Sequence, residues 1–207
     1  TPQGGLWVGT GHGLNYVDGN GVRSFTSEDG LPTPFVMGLY LHDDGRLFIG
    51  TGGGVVIRSP HGDITPVDIS NLDDAEYAFG FAPDPAADLL WMSTDRGLVA
   101  YDLTTGGLTM LGRDAGLPVD KVFQAVIDQD RHLWLSSNRG ILRFRREQIE
   151  EYLAGQREQV DYELFGESDG MQSAQANGGS MQAATLAQDG TVWFATSKGA
   201  SRGNPAE

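Results

Sequence analysis

The chain has 207 residues, of which 30 are glycine, nine are proline and none is cysteine, and its formal net charge is −14 at pH 7. The lack of cysteine excludes disulfides and thiol chemistry. A strongly negative surface repels phosphate backbones and anionic lipid headgroups, so we expect no nucleic-acid partner and no direct membrane contact. No apolar run approaches the roughly 20 residues that span a bilayer, so any membrane attachment would use a segment outside this chain.

One sequence pattern recurs five times: a short apolar run ending in Thr or Ser, two variable residues, a glycine, and a second apolar run. A period of about 42 residues with four strand-like segments per repeat is typical of β-propeller blades. Each first run carries an aromatic residue that we expect to pack between neighbouring blades. These residues, at spacings of 41, 43, 43 and 59, are Trp7, Phe48, Trp91, Trp134 and Trp193.

The first of the five units, residues 1–27, is predicted to be partial, because it begins at the second strand of a blade. The second, residues 28–70, and the third, residues 71–112, are predicted to be complete. The runs are bounded by Gly, Asp, Asn and Pro, as strands are. In the second unit the predicted strands are 35–42, 46–51, 54–58 and 63–69.

The fourth unit, residues 113–166, is longer than the others because it contains a short helical insertion near 145–155. Ile149 and Tyr152 share one face of this predicted helix, and Gly155 is a plausible stop signal. The fifth unit, residues 167–207, is predicted to lack its outer strand. The sequence therefore predicts an all-β fold, a β-propeller fragment of about four and a half four-stranded blades.

The loops that precede the first strand of a blade carry a second sequence signature. Residues 25–32 read FTSEDGLP, residues 111–118 read LGRDAGLP, and residues 165–180 hold a degenerate copy, FGESDGMQSAQANGGS. Together with strands such as LFIGT and the glycine turn that follows, these loops resemble the repeat of the two-component regulator propeller family. The unit spanning 64–102 departs from the family, because it lacks the D-G-L-P loop.

The resemblance implies that the chain is part of a seven-bladed propeller in the periplasmic sensor region of a bacterial inner-membrane receptor. By the same resemblance, ligand occupancy would pass to a histidine kinase or diguanylate cyclase module outside this chain. The ligand would be a small molecule or an oligosaccharide, and the domain itself would be non-catalytic. Whether the fragment closes on itself or forms a homodimer stays open.

Blade topology places the glycine turns and the connections between blades at the same end of the propeller. The residue before the turn glycine is cationic, or can be, in four of the five units: His12, Arg96, Arg139 and Lys198. The connections bring acidic residues to the same end: Glu28, Asp29, Asp114 and Asp169. We predict a polar ring that binds an anionic or polyhydroxylated ligand. The competing interpretation is that such turns accept long polar side chains in any repeat protein.

Two other classes of function are alternatives to the sensor. A carbohydrate-active propeller enzyme, a glycosidase or lyase, would need paired carboxylates facing one bond, whereas the acidic residues here occupy repeated turns. A protein-interaction scaffold would use the same face without responding to small molecules. The histidines lie in or beside turns of different units, so we predict no metal site and no cofactor; they are His12, His42, His61 and His132.

Overall fold

A computed structural model describes residues 1–179 and 181–205, which form five antiparallel sheets that follow one another along the chain. Residues 180, 206 and 207 of the predicted fifth unit lie outside the described residues. The first and last sheets have three strands each: β1 (Leu6–Thr10), β2 (Gly13–Asp18) and β3 (Gly21–Phe25), and β16 (Ala184–Leu186), β17 (Val192–Thr196) and β18 (Gly199–Gly203).

The three middle sheets have four strands each, paired in chain order. The second sheet holds β4 (Val36–Leu41), β5 (Leu47–Thr51), β6 (Gly54–Arg58) and β7 (Ile64–Val67). The third holds β8 (Ala78–Asp84), β9 (Leu89–Thr94), β10 (Gly97–Asp102) and β11 (Leu108–Leu111). The fourth holds β12 (Val122–Ile127), β13 (Leu133–Ser137), β14 (Gly140–Phe144) and β15 (Glu163–Phe165). The all-β prediction is confirmed, and the four strands predicted between residues 35 and 69 are present.

Consecutive sheets pack face to face through hydrophobic clusters. The inner strands, defined as β4, β8, β12 and β16, each contact the next inner strand along the chain. Phe48 and Trp91 are fully buried between sheets and Trp134 nearly so, as predicted, whereas Trp7 is half-buried. This packing buries enough apolar surface to hold each short meander against its neighbours.

The prediction that Trp193 packs between sheets is wrong for the described residues. Its side chain is 39% exposed. Successive side chains of a strand point to opposite faces, and Val192 and Phe194 already fill the cluster shared with the fourth sheet. Trp193 therefore lies on the outer face of the last sheet.

The predicted insertion forms a helix, α1 (Arg146–Leu153), between β14 and β15. Ile149 is fully buried and Tyr152 packs beside it against the cluster between the third and fourth sheets, so the predicted apolar face is confirmed. The hydroxyl of Tyr152 donates a hydrogen bond of 2.7 Å to the carbonyl oxygen of Met110 in β11. The helix thus fastens these two sheets to each other.

All five glycine turns are closed by the same pair of hydrogen bonds. In the third sheet the Thr94 hydroxyl donates to the carbonyl oxygen of Gly97 at 2.8 Å and accepts from the N–H of Arg96 at 3.1 Å. Gly97 has φ of 135°, and a Cβ there would lie 2.5 Å from the carbonyl oxygen of Leu111, the last residue of the outer strand. The turn glycine is needed for its backbone conformation, and the turns and connections share one end of the sheets, as predicted.

Candidate ligand-binding cleft

We call the end of the sheets that carries these five turns the turn face. The predicted ring residues occupy it as exposed side chains: His12, Arg96, Arg139, Lys198, Glu28, Asp29, Asp114 and Asp169. The structure brings Arg96 and Arg139 towards one carboxylate, that of Asp120. Whether the eight residues bind a ligand together stays a prediction.

Asp120 is the centre of a charge cluster that the sequence did not single out. Arg113 holds its carboxylate through two hydrogen bonds, one of them 2.6 Å long from the terminal guanidinium nitrogen. These hydrogen bonds lower the pKa of Asp120, and the positive charges of Arg113, Arg96 and Arg139 act in the same direction. Two of the predicted cations therefore contribute to the electrostatic stabilisation of the Asp120 carboxylate, although only Arg113, among the described residues, is in hydrogen-bond contact with it.

The acidic residues of the predicted ring have separate local surroundings. Asp29 and Asp169 each accept a hydrogen bond from a backbone N–H three residues earlier, at 2.8 and 2.9 Å, which closes a single 3-10 turn. Asp169 also lines a cavity of about 420 Å³ between the fourth and fifth sheets. Burial raises the pKa of Tyr152, and the negative charge of Asp114 adds to that rise.

A different set of residues lines a cleft of about 540 Å³ on the turn face, which we call the aromatic cleft. Its main walls are Phe35, Tyr77, Phe79, Lys121, Phe123 and Asn138, and Gln175 and Asn177 border it. None of the eight predicted ring residues lines it. The cleft volume lies within the range of about 300–1,000 Å³ that small-ligand sites occupy.

The cleft owes its aromatic wall to a bulge repeated in three inner strands. Each of β4, β8 and β12 has one extra residue after its first paired position, opposite two consecutive residues of the neighbouring strand. The extra residues are Met37, Phe79 and Phe123, and all three line the cleft. A bulge turns a side chain out of the regular alternation of the strand, and bulges are common beside functional sites.

A second repeated contact fixes residues of the connections that lead to the inner strands. The first variable residue of a turn donates its N–H to the carbonyl oxygen of such a residue: Gly52 to Phe35 at 3.1 Å, Asp95 to Tyr77 at 3.3 Å and Ser197 to Gln175 at 2.9 Å. The carboxylate of Asp95 also accepts from the N–H groups of Glu76 and Tyr77, each at 3.0 Å. Tyr77 is therefore held from both its carbonyl and its amide.

Gly178 completes the wall beside Phe123. A Cβ at this position would overlap the phenyl ring of Phe123, so the backbone lies directly against that ring. The next connection along the chain thus closes over the aromatic wall, and only a residue without a side chain permits this approach.

The lining of the cleft is aromatic and rich in side-chain amides. Its described lining contains aromatic rings, side-chain amides and one ammonium group, and it contains neither a carboxylate nor an imidazole. Among the described residues no cluster of three or more histidine, aspartate or glutamate side chains could hold a metal ion. Within the same residues, no helix has the length and apolar character needed to cross a membrane.

The sequence contains a pattern that marks this cleft, although the residues of that pattern are not part of the predicted polar ring. Paired residues at positions i and i+2 recur at the start of successive inner strands: Phe35 and Met37, Tyr77 and Phe79, Lys121 and Phe123. Strand alternation alone predicts that the two residues of each pair lie on the same face of their strand. The bulge that turns their side chains towards the turn face depends on pairing with the neighbouring strand, so it cannot be inferred from one strand.

The fold is similar to that of several solved structures. The extracellular domain of the hybrid two-component system BT3049 from B. thetaiotaomicron superimposes with a TM-score of 0.79 at 22% identity, over 97% of this chain and 26% of that one. The extracellular domain of the one-component system BT4673 from the same organism gives 0.76 at 17% identity, over 96% and 26%. Virginiamycin B lyase from Staphylococcus aureus gives 0.65 at 16% identity, over 99% and 67%.

Neither a protein-family model nor a curated protein sequence matches the chain. The chain spans about a quarter of the length of the two extracellular domains. At these identities the similarity establishes the fold. The resemblance inferred from the repeats is thus confirmed at that level: this chain has the fold of the extracellular domains of two-component systems.

Proposed function

We propose that the chain belongs to a non-catalytic, ligand-sensing domain on the periplasmic side of a bacterial inner-membrane receptor. The observation that carries the proposal is the fold shared over 97% of the chain with an extracellular signalling domain. In the full receptor, ligand occupancy would pass to a histidine kinase or diguanylate cyclase module outside this chain.

We place the five sheets within a seven-bladed propeller. In support, the outer faces of the first and last sheets carry large apolar side chains, with Leu6 61% and Trp193 39% exposed. Apolar faces of this kind suit further blades on either side. This arrangement also explains why Trp193 differs in burial from the equivalent Trp91.

An enzyme, such as the carbohydrate-active glycosidase or lyase weighed from the sequence, is the second candidate, because virginiamycin B lyase has a similar fold. General acid–base catalysis would require a titratable group in reach of the substrate. The described lining of the aromatic cleft offers only the ammonium group of Lys121 and the phenol of Tyr77 for this role, and no carboxylate or histidine. His132 is instead bonded to the buried Asp128, at 3.2 Å from its carboxylate. These observations favour binding over turnover.

The test is a thermal-shift screen of the purified chain against neutral and acidic oligosaccharides, with product analysis of every sample. A ligand at 100 times its Kd should stabilise the fold by about 2.7 kcal/mol. A shift without a reaction product is the expected result. Cleaved sugar would overturn the non-catalytic proposal.

The polar ring is tested separately by the double variant Arg96→Glu and Arg139→Glu. If these side chains bind an anionic ligand, charge reversal should weaken its binding by at least tenfold, since each charged contact contributes about 1.5–3 kcal/mol. Unchanged affinity would show that Arg96 and Arg139 do not bind the ligand. The single variant Arg23→Glu, on an exposed side chain of β3, is the control.

A further inference from the structure

We propose that the aromatic cleft binds an acidic sugar ring, a uronate unit of an oligosaccharide, through ring stacking and an ion pair with Lys121. This inference rests on the proposed sensing function for its role. It also assigns the ligand to a site different from the predicted polar ring.

The first step is the stacking surface. The rings of Tyr77 and Phe79 lie nearly parallel, with centroids 6.1 Å apart and planes at 10°. The rings of Phe79 and Phe123 meet edge to face, with centroids 5.3 Å apart and planes at 76°. Phe35 and Tyr77 flank Gly52, where a Cβ would lie 3.3 and 3.6 Å from their rings. Phe35 is 46% and Tyr77 40% exposed. These rings offer a surface for the flat C–H face of a sugar.

The second step is the set of polar groups around that surface. The side-chain amides of Asn138 and Asn177 make no hydrogen bond to any other described residue. Gln175 uses only its amide nitrogen, at 3.0 Å from the carbonyl oxygen of Ala176. Each amide can both donate and accept, which suits hydroxyl groups that do the same. A polyhydroxylated ring fits this arrangement better than an apolar one.

The third step is the charge. Lys121 is the one cation in the described lining and has no ion-pair partner among the described residues. The carboxylate next to it in sequence, Asp120, is already bound by Arg113. The net charge of −14 disfavours anionic ligands over most of the surface. Within the cleft, an exposed ammonium group without an acidic neighbour in the described lining favours a ligand that carries a carboxylate.

The fourth step is preorganisation. Bulges fix Phe79 and Phe123, Asp95 holds the backbone of Tyr77, and Gly178 lies against the ring of Phe123. The stacking surface is therefore built before any ligand arrives, which reduces the entropy lost on binding.

The experiment is isothermal titration calorimetry of the chain with uronate trisaccharides of galacturonic, guluronic and glucuronic acid, and with neutral trisaccharides of matched linkage. We expect at least one uronate to bind more tightly than its neutral match. Lys121→Gln should weaken the binding of that uronate about tenfold and leave the affinity for the neutral trisaccharide unchanged. The double variant Tyr77→Ala and Phe79→Ala should weaken the binding of both the uronate and the neutral trisaccharide at least tenfold.

Trp193→Ala is the matched control, because Trp193 is as exposed as Tyr77 but lies on the outer face of the last sheet. Lys121 is exposed and unpaired within the described chain, so Lys121→Gln tests the site without a risk to folding. Binding of no uronate, or uronate binding unchanged in the cleft variants, would overturn this inference while leaving the sensor proposal intact. Uronate cleavage would instead overturn the sensor proposal.

Discussion

At the scale of single residues, the recurring Thr or Ser before each turn is explained by two hydrogen bonds. Its hydroxyl satisfies a carbonyl group and an N–H group that the tight turn leaves without strand partners. The same pair of bonds occurs at Thr10, Thr51, Thr94, Ser137 and Thr196. The hydroxyl is therefore a structural requirement of the repeat and carries no information about a ligand.

Thr94→Val tests this role. Thr94 is fully buried, so the substitution leaves the N–H of Arg96 and the carbonyl oxygen of Gly97 without their partner. We expect the free energy of unfolding to fall by about 1–3 kcal/mol in urea denaturation. Thr10→Val is the control: Thr10 makes the same two bonds but is half-buried, so water can replace the hydroxyl at a smaller cost. Equal losses in the two variants would contradict this account.

At the scale of secondary-structure elements, α1 connects the third and fourth sheets through a buried ion pair. Arg146 donates to Asp84 at 2.6 Å, and their side chains are 8% and 2% exposed. Arg131 approaches the same carboxylate at 3.4 Å from a more exposed position. The helix is therefore tied to the end of β8 by charge as well as by the packing of Ile149.

Arg146→Met should destabilise the protein by about 3–5 kcal/mol, because it leaves the buried carboxylate of Asp84 with only the weaker and more exposed contact to Arg131. Adding Asp84→Asn should recover part of that loss, since the uncompensated charge is then gone. Glu150→Gln removes the exposed partner of Arg146 and should cost less than 1 kcal/mol. Denaturation of the three variants measures these differences. Failure of the double variant to recover stability would show that packing, rather than charge, dominates.

At the scale of the whole molecule, several surface carboxylates are stabilised in their charged form. Hydrogen bonds from arginine lower the pKa values of Asp120, Glu150 and Glu163, and a hydrogen bond from Thr191 lowers that of Asp189. A carboxyl group with a lower pKa in the folded state stabilises the fold above its unfolded pKa, near 4. That contribution is lost as the pH falls through the folded pKa.

We therefore expect the midpoint of urea unfolding to be lower at pH 3 than at pH 5. Each group is partly solvated, so its individual effect is small and the sum is what the measurement detects. The variant Glu163→Gln should show a smaller drop over the same interval, because one of the contributing carboxylates is removed. A midpoint that does not change between pH 5 and pH 3 would contradict this expectation.

The sequence by itself determined the repeat, the strands, the turn glycines and the short helix with its buried Ile149. These features depend on residues close together in the chain: alternation, turn chemistry and helical spacing. Only the tertiary structure decided the burial of Trp193, the pairing of Asp120 with Arg113, and the aromatic cleft. Each of these depends on which side chains a neighbouring sheet or connection brings into contact. The bulges at Phe79 and Phe123 show the reason most clearly, because an extra residue in one strand exists only relative to the strand paired with it.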